Sequence, residues 1–213
     1  DPNRTSNFNT RQNGYDISAD VLGYPESYYS PPAEAIEEIQ IIRGAASLQY
    51  GTQFGGLVNF KLVTPNPNKP FELKTRNTIG SNDLYTNYTQ VSGKIKSFSY
   101  LGYFNFKSGK GFRPNSRFDS RNYFSQFKYQ ISEKSSIKVE FTLLNYLAQQ
   151  AGGLNDQMFE QDPFQSNRSR NWFGLDWFLY QTVFNHSFSK ESNFKIQLFG
   201  LEAKRKALGF RSN

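Results

Sequence analysis

The 213-residue sequence has no cysteine, a single histidine and a single methionine. Without cysteine there is no disulfide framework, no thiol nucleophile and no cysteine metal site, although this absence does not identify a compartment. We expect the only histidine, His186, to lie at an interface near a short turn rather than to bind a ligand. Asp156, Glu160 and Asp162 lack the glycine and the spacing of a calcium loop. The sequence thus predicts no metal site, no bound cofactor and no enzyme.

Long hydrophobic runs are also missing. No segment approaches the ~18 apolar residues that a membrane helix requires, and the mean hydropathy of −0.68 is too polar for a helical membrane protein. Aromatic residues nevertheless make up 17% of the chain, with 21 Phe and 13 Tyr. This combination suits strands that alternate lipid-facing and water-facing residues. Composition leaves a soluble all-β sandwich open as the alternative.

The first residues, Asp-Pro-Asn-Arg-Thr-Ser-Asn, contain no signal peptide. The sequence is therefore expected to be either a cytoplasmic protein or an internal piece of a longer chain, and the patterns below favour the piece. The net charge is +7, but the basic residues form no single block. We therefore expect no nucleic-acid partner.

The chain changes character near residue 65, where residues 65–70 contain three prolines and predict a linker. Residues 1–64 before it are irregular and rich in turns, whereas residues 71–213 show period-two alternation. The clearest strand alternates Ile137, Val139, Phe141 and Leu143 with Lys138, Glu140 and Thr142. Seven strands are predicted, at about 71–79, 85–93, 98–107, 123–131, 137–143, 178–188 and 194–198.

The connections between these strands alternate in length, with short turns near residues 94–97, 132–135 and 189–193 and long loops at 108–120 and 149–174. Outer-membrane barrels sort their loops in this way, with short turns at one end. Aromatic residues near strand ends resemble interfacial girdles. Seven strands do not close a barrel, and an open edge in lipid leaves backbone groups unpaired. The chain is therefore expected to continue past Asn213.

A specific motif occupies residues 36–60. A strand with Ile39 and Ile41 ends in Arg43-Gly44, a predicted helical turn at 45–49 leads to Tyr50-Gly51, and Gly55-Gly56-Leu57-Val58-Asn59 follows. These elements match, in order and spacing, the closing segment of the plug in TonB-dependent receptors. Upstream, Asn13-Gly14-Tyr15-Asp16-Ile17 resembles the Asp-Gly-Ile/Val hairpin of such plugs, with Asn13 in place of the usual Asp.

Most of this motif is expected to be structural. Ile39 and Ile41 are predicted to form a short buried strand. Gly44 and Gly51 allow sharp turns, while Gly55 and Gly56 allow another backbone to approach closely. Arg43 is expected to form a structural or plug–barrel ion pair rather than a ligand contact. The predicted structural set is Arg43, Gly44, Tyr50, Gly51, Gly55, Gly56 and Asn59.

The resemblance implies an all-β transmembrane fold: an antiparallel outer-membrane β-barrel, here a fragment of about seven strands, preceded by the end of a small α+β plug domain. In this family the plug fills the barrel, and substrate binds between the plug apices and the outer loops. Energised TonB then opens a path, and no bond in the substrate is broken. The implied partners are the TonB–ExbB–ExbD complex, reached through a segment outside this sequence, and the lipid and lipopolysaccharide of a Gram-negative outer membrane.

The ligand implied by the resemblance is a scarce ferric chelate, either ferric citrate or a siderophore. Tyr50-Gly51-Thr52-Gln53 and Gly23-Tyr24-Pro25-Glu26 resemble the ferric-citrate subgroup, in which the Gln of the first stretch points into the ligand pocket. Gln53 is therefore a predicted ligand residue. Independently, guanidinium groups in the long loops suit carboxylate-rich anions. The candidates are Lys107, Lys110, Arg113, Arg117, Arg121, Arg168 and Arg170, with Phe112, Phe118, Phe164 and Trp172 as apolar walls.

Three alternatives stay open at this point. The basic loops either bind lipopolysaccharide phosphates or have no ligand. A glycan or peptide importer with the same fold would work with a surface lipoprotein. A passive barrel or adhesin is a further alternative, against which the plug motif argues, because an open pore needs no plug.

Overall fold

The computed structural model describes residues 8–18, 29–43 and 56–209. The chain divides into two compact units, Asp1–Thr64 and Pro65–Asn213, which are described separately. In the described ranges, no helix is long and apolar enough to cross a membrane.

The described part of the first unit contains a four-stranded mixed sheet with the order β2-β1-β4-β3. Its strands are β1 (Phe8–Gln12), β2 (Tyr15–Asp16), β3 (Ile36–Ile42) and β4 (Gly56–Leu62), and a 3₁₀ helix at Ala33–Ala35 precedes β3. β1 runs parallel to β4, whereas β1–β2 and β3–β4 are antiparallel. The predicted hairpin is present: Asn13 and Gly14 both have positive φ, 48° and 87°, as a tight two-residue hairpin turn requires.

The prediction that Ile39 and Ile41 are buried was wrong. Their side chains are 54% and 58% exposed, although both residues do lie in a strand. The physical reason is position: β3 is an edge strand, and its isoleucines lie on a face that nothing in the described part of this unit covers. The core of the unit instead contains Tyr15, Ile17, Tyr29 and Leu57.

The second unit is a seven-stranded antiparallel sheet in which each strand pairs with its sequence neighbours. Its strands are β5 (Glu72–Gly80), β6 (Leu84–Ile95), β7 (Phe98–Gly109), β8 (Phe118–Ser132), β9 (Ser135–Gln149), β10 (Trp172–Ser187) and β11 (Asn193–Leu208). All seven predicted strands are therefore present. Six of the seven strands are longer than predicted, and β5 alone has the predicted length, because polar residues at the loop ends, such as those in 199–208, hide the alternation.

The predicted sorting of loops is confirmed. Residues 96–97, 133–134 and 188–192 form short turns at one end. At the other end, residues 81–83 form a short turn between β5 and β6, and residues 110–117 and 150–171, after β7, form long loops. The longer loop contains helix α1 (Asp156–Gln161), which begins after Asn155, whose side chain accepts a hydrogen bond from the Met158 amide at 2.8 Å. This cap satisfies one of the free amides of the first turn.

The two faces of the seven-stranded sheet differ in polarity. The exposed face presents large apolar side chains, namely Phe98, Tyr123, Phe127, Tyr129, Phe141, Leu143, Tyr180, Phe194, Ile196 and Leu198. The buried face is mixed: it holds the polar residues Gln90, Ser92, Asn105, Asn122, Gln126, Ser136, Glu140, Thr142 and Gln181 together with the apolar residues Leu101, Leu175, Trp177, Leu179 and Val183. It also contains stacked aromatic rings, with Tyr103 and Phe124 centroids 5.1 Å apart. A sheet whose outward face presents large apolar side chains is suited to an apolar solvent.

Candidate functional site

Asn59 joins three parts of the first unit. Its side-chain Oδ1 accepts a hydrogen bond from the Gly14 amide at 2.9 Å, and its Nδ2 donates to Gln40 Oε1 at 2.8 Å. The side chain of Asn59 is buried in β4, whereas Gln40 is half-buried. Asn59 therefore links the hairpin turn and β3 to β4, and its predicted structural role stays a prediction.

Gly56 allows two backbone segments to approach closely. Its φ is +109°, and a Cβ at this position would lie 2.6 Å from the Ile42 carbonyl oxygen. A larger residue would combine an unfavourable backbone conformation with a steric clash. Arg43 is exposed directly after β3, and its predicted ion pair stays a prediction. Gly44, Tyr50, Gly51, Gln53 and Gly55 lie outside the described residues.

An exposed ion pair joins β3 to β4. Lys61 Nζ lies 2.9 Å from Glu38 Oε2. The hydrogen bond from Lys61, followed by that from Gln40, lowers the pKa of the Glu38 carboxyl. The bond to Glu38 raises the pKa of the Lys61 ammonium. The pair is solvent-exposed, so we expect it to tune the pH dependence of this sheet rather than to determine its stability.

Arg113, a predicted ligand residue, joins the two long loops. Its Nη2 donates to the Gly152 carbonyl oxygen at 2.8 Å, and its Nη1 lies 3.5 Å from the Gln165 carbonyl oxygen. The guanidinium also lies 5.7 Å from the centroid of the Phe112 ring. Two of its five N–H donors thus engage carbonyl oxygens of loop 150–171. The geometry favours a structural role for Arg113 over the predicted contact with ligand.

Neighbouring residues strengthen this loop–loop contact. Asn115 Nδ2 donates to the carbonyl oxygens of Gln150, at 3.0 Å, and Asn171, at 3.1 Å. The rings of Phe112 and Phe164 pack edge to face with centroids 6.4 Å apart. Loops 110–117 and 150–171 are therefore held together at several points by polar and aromatic contacts.

Arg117, Arg168 and Arg170 lie in the long loops, as predicted. Arg117 and Arg170 are exposed, whereas Arg168 is half-buried. Ser166 Oγ donates to the Arg168 carbonyl oxygen at 2.7 Å, which fixes the backbone of that segment. The structure does not test whether these guanidinium groups bind a ligand, so that role stays a prediction.

The loop placement of three other residues was wrong. Lys107 lies in β7, Arg121 lies in β8 and Trp172 begins β10. Arg121 is two residues from Tyr123 in β8, and Trp172 is eight residues from Tyr180 in β10, so both lie on the exposed face. Lys107 lies on the buried face. The sequence between residues 117 and 122 lacks an apolar alternation, and so the early start of β8 gave no signal.

Strand register forms a polar row that the sequence did not predict, across the loop end of the buried face. Lys107 in β7 pairs with Ser120 in β8, and Ser120 pairs with Tyr146 in β9. Tyr146 pairs with Leu175 in β10, and Leu175 pairs with Arg205 in β11. Two cations and two hydroxyl groups thus belong to the row of cross-strand neighbours below the long loops. Only the pairing of five strands brings them together, because they are distant in sequence.

A fully buried carboxylate occupies the same face nearer the short turns. Glu140 has no exposed surface, and Lys138 Nζ lies 2.6 Å from its Oε1. Gln181 Nε2 donates to the other carboxylate oxygen, and Gln197 Nε2 donates to Gln181 Oε1 at 2.8 Å. The paired charge and its amide neighbours form a polar network on a face that also buries Leu179 and Val183. A buried carboxylate requires partners of this kind.

His186 lies near the end of β10, where Ser135 Oγ is 2.8 Å from its Nδ1. Its ring centroid is 4.5 Å from that of Phe188 beside the last short turn, which agrees with the predicted interfacial position. Within the described ranges, no group of three or more His, Cys, Asp or Glu side chains is placed to hold a metal ion.

The fold is similar to that of several solved outer-membrane receptors. The unliganded ferric citrate transporter FecA aligns with 100% of this chain and 33% of its own, with a TM-score of 0.84 and 18% identity. The pyoverdine outer-membrane receptor FpvA of Pseudomonas aeruginosa PAO1 covers 92% of this chain and 30% of its own, with a TM-score of 0.77 and 15% identity. The alcaligin receptor FauA of Bordetella pertussis covers 94% of this chain and 31% of its own, with a TM-score of 0.72 and 13% identity.

This chain spans about a third of the length of those proteins. No family model and no curated protein sequence matches it. At these identities the similarity concerns the fold: an all-β, antiparallel structure that matches a segment of outer-membrane β-barrel receptors.

Proposed function

We propose that this chain is the end of the plug (residues 1–64), a linker (65–70) and the first strands of the barrel (71–213) of a TonB-dependent outer-membrane receptor. The observation that carries the proposal is the set of large apolar side chains on the exposed face of the seven-stranded sheet, opposite a face that buries Glu140, Gln181 and Gln126 along with apolar residues. The long loops at one end and the fold of FecA support it. The location that follows is the outer membrane of a Gram-negative cell.

The proposed activity is active import of a ferric chelate, energised by TonB with ExbB and ExbD. The proteins of similar fold are named as ferric citrate, pyoverdine and alcaligin transporters or receptors, which favours this ligand class. Import moves the chelate without breaking a bond in it, so the protein needs no catalytic residues and no cofactor of its own. The ligand is cargo.

The proposed ligand residues are Gln53 of the plug motif and the exposed loop arginines Arg117 and Arg170, with Arg168 beside them. Guanidinium groups bind carboxylates through paired hydrogen bonds, which suits a hydroxy-acid chelate with peripheral carboxylates. Lys107, which lies on the buried face of β7 rather than in a loop, adds a further cation. Arg113 is assigned to holding the two loops together.

The test is binding of radiolabelled ferric citrate, ferric siderophores and oligosaccharides to cells that produce the full-length receptor. One strain carries Gln53→Ala with Arg117→Ala and Arg170→Ala, and a matched control carries Lys134→Ala with Lys190→Ala in the short turns. We expect saturable ferric-chelate binding in the wild type. In the first strain the affinity should fall by about tenfold or more, because the charge-assisted hydrogen bonds from the guanidinium groups are lost. The control strain should bind normally.

A second arm separates binding from transport. In cells without TonB, we expect binding to persist while accumulation of the chelate stops. If an oligosaccharide or peptide binds and ferric chelates do not, the ferric ligand is wrong, and import together with a surface lipoprotein becomes the better assignment. If accumulation proceeds equally without TonB, a passive barrel explains the fold and the proposed function fails.

A further inference from the structure

Charge is distributed unevenly between the two faces of the seven-stranded sheet. Over the described strands β5 to β11, the pairings place eight cationic residues on the buried face but only two carboxylates, Glu72 and Glu140. The exposed face of the same strands holds three cations and three carboxylates, namely Arg121, Lys204, Lys206, Asp119, Asp176 and Glu202. The buried face thus carries a large positive excess. Because charges of one sign repel one another and destabilise a compact structure, this excess needs an explanation.

The cations of the buried face extend from the long loops to the short turns. Lys107 and Arg205 belong to the row below the long loops. Lys74 and Arg76 lie farther down on β5, where Lys74 Nζ is 5.8 Å from the centroid of the Tyr88 ring. The remaining four lie near the short turns and are Lys94, Lys128, Lys138 and Lys195. The face is therefore positive at both ends and in between.

The arrangement near the short turns is unfavourable by itself. Lys128 in β8 lies directly opposite Lys138 in β9, and like charges in opposed positions destabilise a sheet. Glu140 offsets Lys138, whose Nζ lies 2.6 Å from its Oε1. Lys94 joins the same row through Ser99, at two strand spacings or about 10 Å from Lys128. Lys94, Lys128 and Lys138 are called the lysine row below.

The lysine row is accessible although its neighbours are buried. Lys94 and Lys128 are exposed, whereas Gln126, two residues from Lys128 on the same face, is buried. Each ammonium group has three donors, and a surface with charge of one sign beside low-dielectric walls concentrates ions of the opposite sign. The row covers three strand spacings, about 14 Å. This length suits an anion with several peripheral carboxylates better than a small inorganic ion.

We propose that the buried face of this sheet is the wall along which an anionic chelate passes, and that the lysine row is its last binding position before the short turns. The inference rests on the proposed function and adds to it that the cargo carries net negative charge. After capture by the loop arginines, the carboxylates of the chelate contact Lys107, then Arg76 and Lys74, and then the lysine row. The anion relieves the repulsion between Lys128 and Lys138 while it is bound there.

The test separates passage from first binding in cells that produce the full-length receptor. Accumulation of radiolabelled ferric citrate is measured over a range of concentrations, and equilibrium binding is measured in cells without TonB. The variants are Lys94→Gln with Lys128→Gln, and Lys94→Arg with Lys128→Arg, which retains the charge. The matched control is Lys134→Gln with Lys190→Gln, because these two lysines lie in the short turns rather than on the face.

We expect the maximal rate of accumulation to fall at least about fivefold in the double glutamine variant, the factor that one contact between unit charges contributes in water. The dissociation constant measured without TonB should stay at the wild-type value, because the loop residues are intact. The double arginine variant and the control should transport at the wild-type rate.

Thermal stability of the purified receptor distinguishes transport from a structural role. Because Lys128 opposes Lys138, we expect Lys128→Gln alone to leave the midpoint of thermal unfolding unchanged or to raise it, while accumulation slows. A lysine retained for the fold would instead lower the midpoint when it is replaced. Lys138 is left unchanged in every variant, because it is the partner of the buried Glu140.

Failure of the passage and failure of the proposed function give different results. Only the passage is overturned if the wild type accumulates ferric citrate through TonB and the double glutamine variant does so at the same maximal rate. It is also overturned if Lys128→Gln lowers the thermal midpoint and transport together, or if the wild type imports only an uncharged ferric trihydroxamate. If the wild type neither binds nor accumulates any ferric chelate, the proposed function fails and the passage fails with it.

Discussion

Replacing Arg113 by alanine tests whether this residue holds the two long loops together. The substitution removes the 2.8 Å bond to the Gly152 carbonyl and the longer, weaker contact with the Gln165 carbonyl. A hydrogen bond from a charged donor contributes about 1.5–3 kcal/mol. Because Arg113 is only half-buried, we take the lower end, about 1.5 kcal/mol, which corresponds to about a tenfold rise in local opening.

The assay is amide hydrogen exchange of the full-length receptor, read on peptides that cover residues 150–171. The Gln150 and Asn167 amides are hydrogen-bonded inside this loop at 2.9 and 3.2 Å, so they report its opening. We expect about tenfold faster exchange there in the alanine variant, with an intermediate effect for Arg113→Lys, whose ammonium lacks the planar fork. Peptides from β9 and β10 should be unchanged.

Arg117→Ala is the matched control, because Arg117 lies in the same loop with an exposed side chain. The reasoning is refuted if residues 150–171 exchange at the wild-type rate in Arg113→Ala, or if Arg117→Ala accelerates them equally. The result also bears on transport: if Arg113→Ala impairs ligand binding and loosens the loop together, its effect on ligand is indirect.

Two predictions concern the first unit. Gly56→Ala places a Cβ 2.6 Å from a backbone oxygen at a φ of +109°. We therefore expect the free energy of unfolding of this unit to fall by about 1–3 kcal/mol, measured by pulse proteolysis within residues 1–64 of the full-length receptor. Gly14→Ala, whose Cβ meets no atom within 4 Å, should lower it less, and the reverse order would contradict the close-approach argument. The lowered pKa of Glu38 means that its ion pair with Lys61 stabilises the fold above the ordinary carboxyl value of 4.5 and that this contribution is lost as the pH falls through the lowered pKa. The raised pKa of Lys61 means that its contribution is present below 10.5 and is lost as the pH rises through the raised value. The difference in thermal stability between wild type and Glu38→Gln should accordingly be largest near neutral pH and vanish in acid, and a difference independent of pH would rule this out.

Local patterns predicted most of the secondary structure. The alternation of Ile137, Val139, Phe141 and Leu143 predicted β9 because a strand places successive side chains on opposite faces. The hairpin at Asn13-Gly14 was expected from the resemblance to plug domains, and both positions have the positive φ that a two-residue turn requires. Loop lengths could also be predicted from the sequence, because they depend only on where each strand ends.

Local patterns failed where a residue's environment depends on distant segments. Ile39 and Ile41 match a buried strand in sequence, but whether they are covered depends on which strand lies at the sheet edge. Arg113 and Arg117 are both basic loop residues in the sequence, yet only the first reaches carbonyls of a loop about 40 residues later. Their different roles follow from tertiary contacts that no local pattern encodes.

The sequence by itself determined the architecture, which consists of a turn-rich first unit, a proline-rich boundary and seven alternating strands with loops sorted by length. It could do so because these features depend on short-range backbone and side-chain preferences. The tertiary structure alone decided which side chains meet. Lys94, Lys128 and Lys138 lie on three different strands and become one row only through the register of β6 to β9. A shift of one residue in any of these pairings would move a member of the row to the opposite face.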